Sequence, residues 1–318
     1  MLTTTSYQDT PGRHHELLAA SGFEVCPARG PLSESQLLEL IASEGPFDGT
    51  LNGDDEFSAG VIDALLPELK VIAKYGIGLD RIDVDHASSR SIPVLFTPGV
   101  NHTTVAEHAI GLMVAVSKHF WPHLASVKSG QWQRITGREL AGKRLGVLGM
   151  GRIGREVIKR AVAFEMRPLA YDLAWDEAFA VEFGVERAES MAQVLEQADV
   201  VSLHLPMTEQ SRGMINAQAL GRMKDGAIVI NTSRGGLVVE ADVAEACRSG
   251  KLLGYGTDVL EAEPIVSPHP FQEVDNILVT PHVGSRTHES VERQAVRATR
   301  NLVNYLQGDD DYIQANRF

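Results

Sequence analysis

The chain has 318 residues, 43% hydrophobic and 22% charged, the balance of a globular protein with room for two domains rather than of a disordered one. A formal net charge of −13, with no run of Lys and Arg to offset it locally, argues against nucleic acid or anionic lipid as a partner. No apolar segment reaches bilayer length, Met1-Leu2-Thr3-Thr4-Thr5-Ser6 lacks the order of a secretory signal, and Cys26 and Cys247 are too few for a disulfide framework, so a cytoplasmic location is expected.

In chain order, the predicted elements begin with a strand near Leu2 to Thr5 and a helix near Arg13 to Ser21. A strand from Leu69 to Ala73 then runs into Lys74-Tyr75-Gly76-Ile77-Gly78, and together these read as a smaller α/β domain. Val105 to Val116 is apolar nearly all round, which predicts a buried helix joining domains or subunits. From Arg144 onward, strand-length apolar runs fall at Leu145 to Leu148, Leu169 to Tyr171, Val200 to Leu205, Ile228 to Ile230, Tyr255 to Val259 and Ile277 to Val279. Helical stretches between them include Met191 to Gln197, Ala217 to Met223 and Ala241 to Ser249, the last stopped by Gly250. This alternation predicts an α/β protein with a doubly wound parallel sheet.

The first run enters a GxGxxG turn, Gly149-Met150-Gly151-Arg152-Ile153-Gly154, and the turn enters an amphipathic helix. Gly149 permits a tight turn, Gly151 lets backbone approach a pyrophosphate, and Gly154 lets the helix pack closely on the strand. Asp172 closes the next strand, where a carboxylate accepts hydrogen bonds from a ribose 2′ hydroxyl and repels a 2′ phosphate. The expected cofactor is therefore NAD.

Three later strand ends carry residues suited to proton and charge handling, and in an open α/β sheet ligands bind beyond those ends. Arg234 in NTSRGG offers a fork of donors for a carboxylate and a polarised carbonyl. His282 in TPHVG can carry a proton near neutral pH, with Glu263 of DVLEAEP to orient its ring. Taken singly, Arg234 has a plainer reading as a surface ion pair, His282 as a satisfied structural residue and Glu263 as a loop-closing residue; the three together point to catalysis. No metal is expected: Pro122 stands between His119 and His123, no HExxH occurs, and His102 and His108 read as structural or near-substrate residues.

The ordered series GMGRIG, Tyr171-Asp172, His204-Leu205-Pro206, NTSRGG, DVLEAEP and TPHVG resembles the NAD-dependent D-2-hydroxyacid dehydrogenase family over about Leu69 to Ser290. Within that family, the segment Lys74 to Asp83 and TPGVNHTTVAEH are most similar to D-3-phosphoglycerate dehydrogenases. The resemblance implies a Rossmann-type cofactor domain at 100–286 and a flavodoxin-like substrate domain formed by 1–99 with 287–318. It implies that Arg234, Glu263 and His282 are catalytic, and that Ile77 and Gly78 present amides to a substrate carboxylate with Asn101 nearby. Arg152 and Ile153 would line the pyrophosphate, Thr232 and Asp258 the nicotinamide carboxamide, and Val105 the nicotinamide ring, with His204 and Pro206 also at the cofactor.

A departure from the family pattern places Arg286 four residues past His282, and Arg286 and Lys74 are the candidates for reading a substrate tail. With the sequence ending at Phe318, regulation through a C-terminal extension of the kind found in many phosphoglycerate dehydrogenases is not expected. The expected function is hydride transfer between NAD(H) and a small anionic D-2-hydroxy or 2-keto acid, phosphoglycerate dehydrogenase-like, in a homodimer. A glyoxylate, hydroxypyruvate or sugar-acid 2-keto reductase fits the same residues, as does an NAD-sensing, corepressor-like interaction protein; Glu263, where a formate dehydrogenase would carry Gln, disfavours that enzyme.

Overall fold

Parallel pairing, which buries a sheet on both faces, is what makes the strands read as unbroken apolar runs instead of alternating ones. In a computed structural model describing residues 1–318, the chain divides into two compact units, Met1–Asn101 with Arg286–Phe318, and His102–Ser285.

The first unit has a three-stranded parallel sheet, β1 (Gly49–Asn52), β2 (Val71–Lys74) and β3 (Val94–Leu95), in the order β1-β2-β3. Where the sequence predicts a first strand, Leu2 makes only isolated bridges to Leu51 and Pro27, and helix α1 (Thr5–Asp9) has already begun. Helices α2 (Arg13–Ala20), α3 (Glu34–Glu44), α4 (Ala59–Ala64) and α5 (Val84–Ser89) follow the chain around this sheet. Val71 and Ala73 of β2 face a cluster with Leu18 of α2 and Ala295, Ala298 and Leu302 of the C-terminal helix His288–Gln307. Ile72, of opposite parity, faces Leu37, Val61, Ile62 and Ala87 of α3, α4 and α5.

The second unit opens with α6 (His102–Ser117) and α7 (Phe120–Lys128), then alternates strands and helices. Its strands are β4 (Arg144–Leu148), β5 (Arg167–Tyr171), β6 (Glu186–Arg187), β7 (Val200–Leu203), β8 (Ala227–Asn231), β9 (Leu252–Thr257) and β10 (Ile277–Val279). All pair in parallel in the order β10-β9-β8-β7-β4-β5-β6. Helices α8 (Arg152–Ala163) and α9 (Glu177–Phe183) share one apolar cluster with α6; α10 (Met191–Gln197), α11 (Ala217–Arg222) and α12 (Glu240–Arg248) cover the other face. The helix predicted to join domains or subunits packs along β8, β9 and α8 inside this unit, which accounts for its nearly uniform apolarity. Edge strand β6 carries no apolar signal because both its residues are exposed. The strand order reverses between β4 and β7, and such a switch point opens a crevice at the carboxyl ends of the strands.

Candidate active site

The glycine turn sits at that switch point, and each glycine meets a different demand. Gly149 has φ of 97°, and a Cβ there would lie 2.5 Å from the His204 carbonyl oxygen at the end of β7. A Cβ on Gly154 would lie 2.1 Å from the Gly149 carbonyl oxygen, so only glycine lets α8 start this close to the turn. A Cβ on Gly151 would meet nothing of the protein, so the middle glycine leaves its face open at the N-terminus of α8. Asp172 accepts from the Met150 amide at 2.5 Å and the Ala174 amide at 2.7 Å, tying the turn to the segment after β5. At the end of β7, His204 Nε2 lies 2.8 Å from Ser202 Oγ, and burial pushes its pKa down to about 3, so the ring is neutral.

Arg234, Glu263 and His282 follow β8, β9 and β10 in turn, at the same end of the sheet. His282 Nδ1 lies 2.7 Å from Glu263 Oε2, while Glu263 Oε1 accepts the Leu260 amide at 2.9 Å, which fixes the carboxylate plane. Arg234 is half-buried, with Nη1 donating to Ser233 O. Asn231 braces its loop by accepting from the Ser233 amide and donating to Arg234 O. The Arg234 loop and the Glu263 loop are pressed together at Gly235, where a Cβ would lie 1.9 Å from the Leu260 carbonyl carbon. A further brace is Glu240 at the start of α12, which accepts the Glu261 amide at 2.9 Å and pairs with His269 Nε2 at 3.2 Å. Sequence reading misses this brace: Glu240 sits among ordinary first-turn helix acids and nothing in its spacing marks it.

Asp258 is buried beneath the His282 turn. Its carboxylate accepts from Thr280 Oγ1 at 2.6 Å and from the amides of Val283 at 2.9 Å and Gly284 at 2.7 Å. Burial alone would raise its pKa, but hydrogen bonds from His108, Thr280, Val283 and Gly284 outweigh that and hold it below the usual carboxylate range. In this structure Asp258 is first a brace of the loop. Thr232 differs: its Oγ1 is buried with no hydrogen-bond partner in the chain.

The residues expected to read the substrate belong to the first unit, apart from Arg234. Ile77 and Gly78 lie in the loop after β2, where Gly76 adopts a φ of 141° and donates its amide to Thr97 Oγ1. Ile77 is exposed, and Asn101 Oδ1 is buried without a partner in the chain. Lys74, only 3% exposed, donates to Asp54 Oδ1 at 2.7 Å and to Gly53 O, so its charge is already met by a carboxylate. Arg286 is exposed and close enough to Tyr75 and Asp9 to stabilise their anionic forms. Val105 lies in the second unit, in the first half of α6.

Residues 110–284 match the profile of the D-isomer specific 2-hydroxyacid dehydrogenase, NAD binding domain. A hydroxypyruvate reductase of Thermotoga maritima is 41% identical over 86% of this chain and 89% of its own. A D-3-phosphoglycerate dehydrogenase of Archaeoglobus fulgidus is 36% identical over 92% of this chain but only 55% of its own. The crystal structure of the TT0316 protein from Thermus thermophilus superposes with a TM-score of 0.89 at 35% identity, covering 99% of both chains. The chain belongs to the D-isomer specific 2-hydroxyacid dehydrogenase family. It is an NAD-dependent oxidoreductase with a Rossmann cofactor domain. The site fits that cofactor: Gly151 leaves an open face at a helix N-terminus, Asp172 stands beyond β5, and Thr232 Oγ1 has an unmet hydrogen bond. No helix is long and apolar enough to cross a membrane.

Proposed function

We propose that Arg234, Glu263 and His282 carry out reversible reduction of a short 2-keto acid to its D-2-hydroxy acid. The observation that carries this reading is the 2.7 Å contact of His282 Nδ1 with Glu263, on neighbouring strand-end loops of an NAD-binding domain and beside the Arg234 loop. NAD, when bound, supplies or receives the hydride. Glu263 engages Nδ1, so Nε2 is the nitrogen that exchanges the catalytic proton. In reduction, protonated His282 delivers that proton to the carbonyl oxygen while Arg234 stabilises the developing oxyanion; in oxidation, neutral His282 takes the hydroxyl proton. The Ile77 and Gly78 amides, with Asn101, hold the substrate carboxylate. Gly149, Gly151, Arg152, Ile153 and Gly154 hold the pyrophosphate, Asp172 the ribose, and Thr232 and Asp258 the carboxamide, while Val105, His204 and Pro206 shape the cofactor's surroundings.

For the substrate tail, the first reading is phosphoglycerate dehydrogenase-like, with the exposed Arg286 guanidinium meeting the phosphate. A second reading, a hydroxypyruvate or glyoxylate reductase, is supported by the Lys74–Asp54 pair, which commits one of the two candidate cations to a carboxylate. The proposal extends to a homodimer working in the cytoplasm, supported by the exposed apolar residues of α7 and by two free thiols.

Turnover of phosphohydroxypyruvate, hydroxypyruvate and glyoxylate, followed by NADH absorbance, tests the reading. Reduction of at least one is expected, and His282→Ala is expected to lower kcat by about 10² to 10⁴ with NADH affinity retained. In the phosphoglycerate reading Arg286→Met raises KM for phosphohydroxypyruvate far more than for glyoxylate; equal effects support the second reading. NADH binding with no turnover on any acid would favour the interaction protein.

A further inference from the structure

His282 has a φ of 52°, in the left-handed region that costs an L-residue on the order of 1–3 kcal/mol unless its surroundings enforce it. The enforcing contacts are local. The His282 amide donates to Asp258 O and Thr280 O, both at 2.9 Å, and the next two amides turn onto the Asp258 carboxylate. The Val283 amide takes Asp258 Oδ1 and the Gly284 amide takes Oδ2, and a carboxylate gripped in this way still has to be held in place itself. Thr280 Oγ1 donates to Asp258 Oδ1 at 2.6 Å, which turns its lone pairs toward His108. His108 Nε2, from α6, lies 2.8 Å from Thr280 Oγ1 and 3.4 Å from Asp258 Oδ1, so His108 is the donor at the head of the chain. Space is tight around it: a Cβ on Gly284 would lie 2.8 Å from Asp258 Oδ2 and 3.5 Å from His108 Cδ2.

We propose that His108 and Thr280 are positioning residues for His282. Their hydrogen-bond chain, running from α6 to the Asp258 carboxylate, locks the left-handed turn that brings His282 Nδ1 onto Glu263. Neither residue touches the reacting atoms, and both act through Asp258. Two histidines therefore serve one proton transfer: His282 carries the proton and His108 anchors the turn on which it sits. The inference rests on the reading of His282 as proton carrier, and its test separates the two.

Thr280→Val keeps the shape of the side chain and removes the hydroxyl, whereas Thr280→Ser keeps the hydroxyl. With NADH and whichever of glyoxylate, hydroxypyruvate and phosphohydroxypyruvate is turned over, Thr280→Val is expected to lower kcat about ten- to hundredfold, the size of effect that misplacing a catalytic group produces. Its KM for the acid is expected to stay within about threefold of the parent, with Thr280→Ser restoring kcat to a similar margin. His108→Gln is expected to follow Thr280→Val. Amide hydrogen exchange over residues 282–284 is expected to quicken in Thr280→Val, a readout that needs no turnover. In a His282→Ala background Thr280→Val should cost nothing further, because the group it positions is gone. Unchanged kcat and exchange in Thr280→Val, or a loss that Ser does not restore, would overturn the positioning role. If His282→Ala itself keeps parental turnover, or no acid on the panel is reduced, the failure lies instead with His282 as proton carrier, and this inference falls with it.

Discussion

Asp172, proposed above to read the ribose, has a second task that the sequence does not show. Its position after β5 fits ribose recognition, and its carboxylate also anchors the glycine turn through the Met150 amide. A carboxylate has about four acceptor sites, so both tasks are compatible. Asp172→Ala should therefore narrow the preference for NAD over NADP in kcat/KM on the order of tenfold, as expected for removing a like charge at a few ångströms in a partly screened site. It should also weaken affinity for both cofactors, because the turn loses its tether. An unchanged NAD to NADP ratio would move ribose recognition to another residue. The glycines, Asp172 and the three strand-end residues were legible because each stands in a motif whose spacing follows from the chemistry. Lys74 shows where this reasoning stops: its charge is visible in the sequence, but Asp54, twenty residues earlier, meets it only through the fold. Thr280 and Asp258 likewise come together from different strand ends, beyond the reach of local pattern.

At the scale of elements, the long apolar strands of the second unit were legible because parallel sheets bury both faces, and the structure agrees for β4, β5, β7, β8, β9 and β10 to within a few residues. Edge strand β6 (Glu186-Arg187), β1 (Gly49-Thr50-Leu51-Asn52) and the two-residue β3 escaped because none of them holds an apolar run of strand length. The end of β7 adds a consequence for stability. His204 is neutral in the folded chain, with a pKa of about 3 against 6.5 for an ordinary histidine. Below about pH 6.5 the unfolded chain binds a proton there that the folded chain refuses, so this group withdraws stability as pH falls, by up to about 1.4 kcal/mol per pH unit. The urea midpoint should therefore fall less between about pH 7 and pH 5 in His204→Gln than in the parent, all other titrating groups being shared. Parallel midpoint curves for the two proteins would show that His204 is protonated as readily folded as unfolded.

For the whole molecule, the open question on the surface is what covers α7. Phe120, Trp121, Leu124 and Val127 recur at helical spacing, each between 48% and 57% exposed, and Trp132 beyond the helix is 76% exposed. None belongs to an apolar cluster of either unit, so they contribute little to the fold of a single chain. A helix face of this kind suits a two-fold interface, in which one patch meets its own copy and burial of about 800 Å² per partner suffices. Sedimentation of the purified chain is accordingly expected to give twice the chain mass at micromolar concentration. The double variant Trp121→Glu and Leu124→Glu places like charges opposite one another across such an axis, and it should sediment as a monomer with an unchanged circular dichroism spectrum and retained NADH binding. The retained spectrum matters most, because it separates a lost interface from a lost fold. A parent that sediments as a monomer at every concentration, or a double variant that stays dimeric, would take α7 out of the assembly.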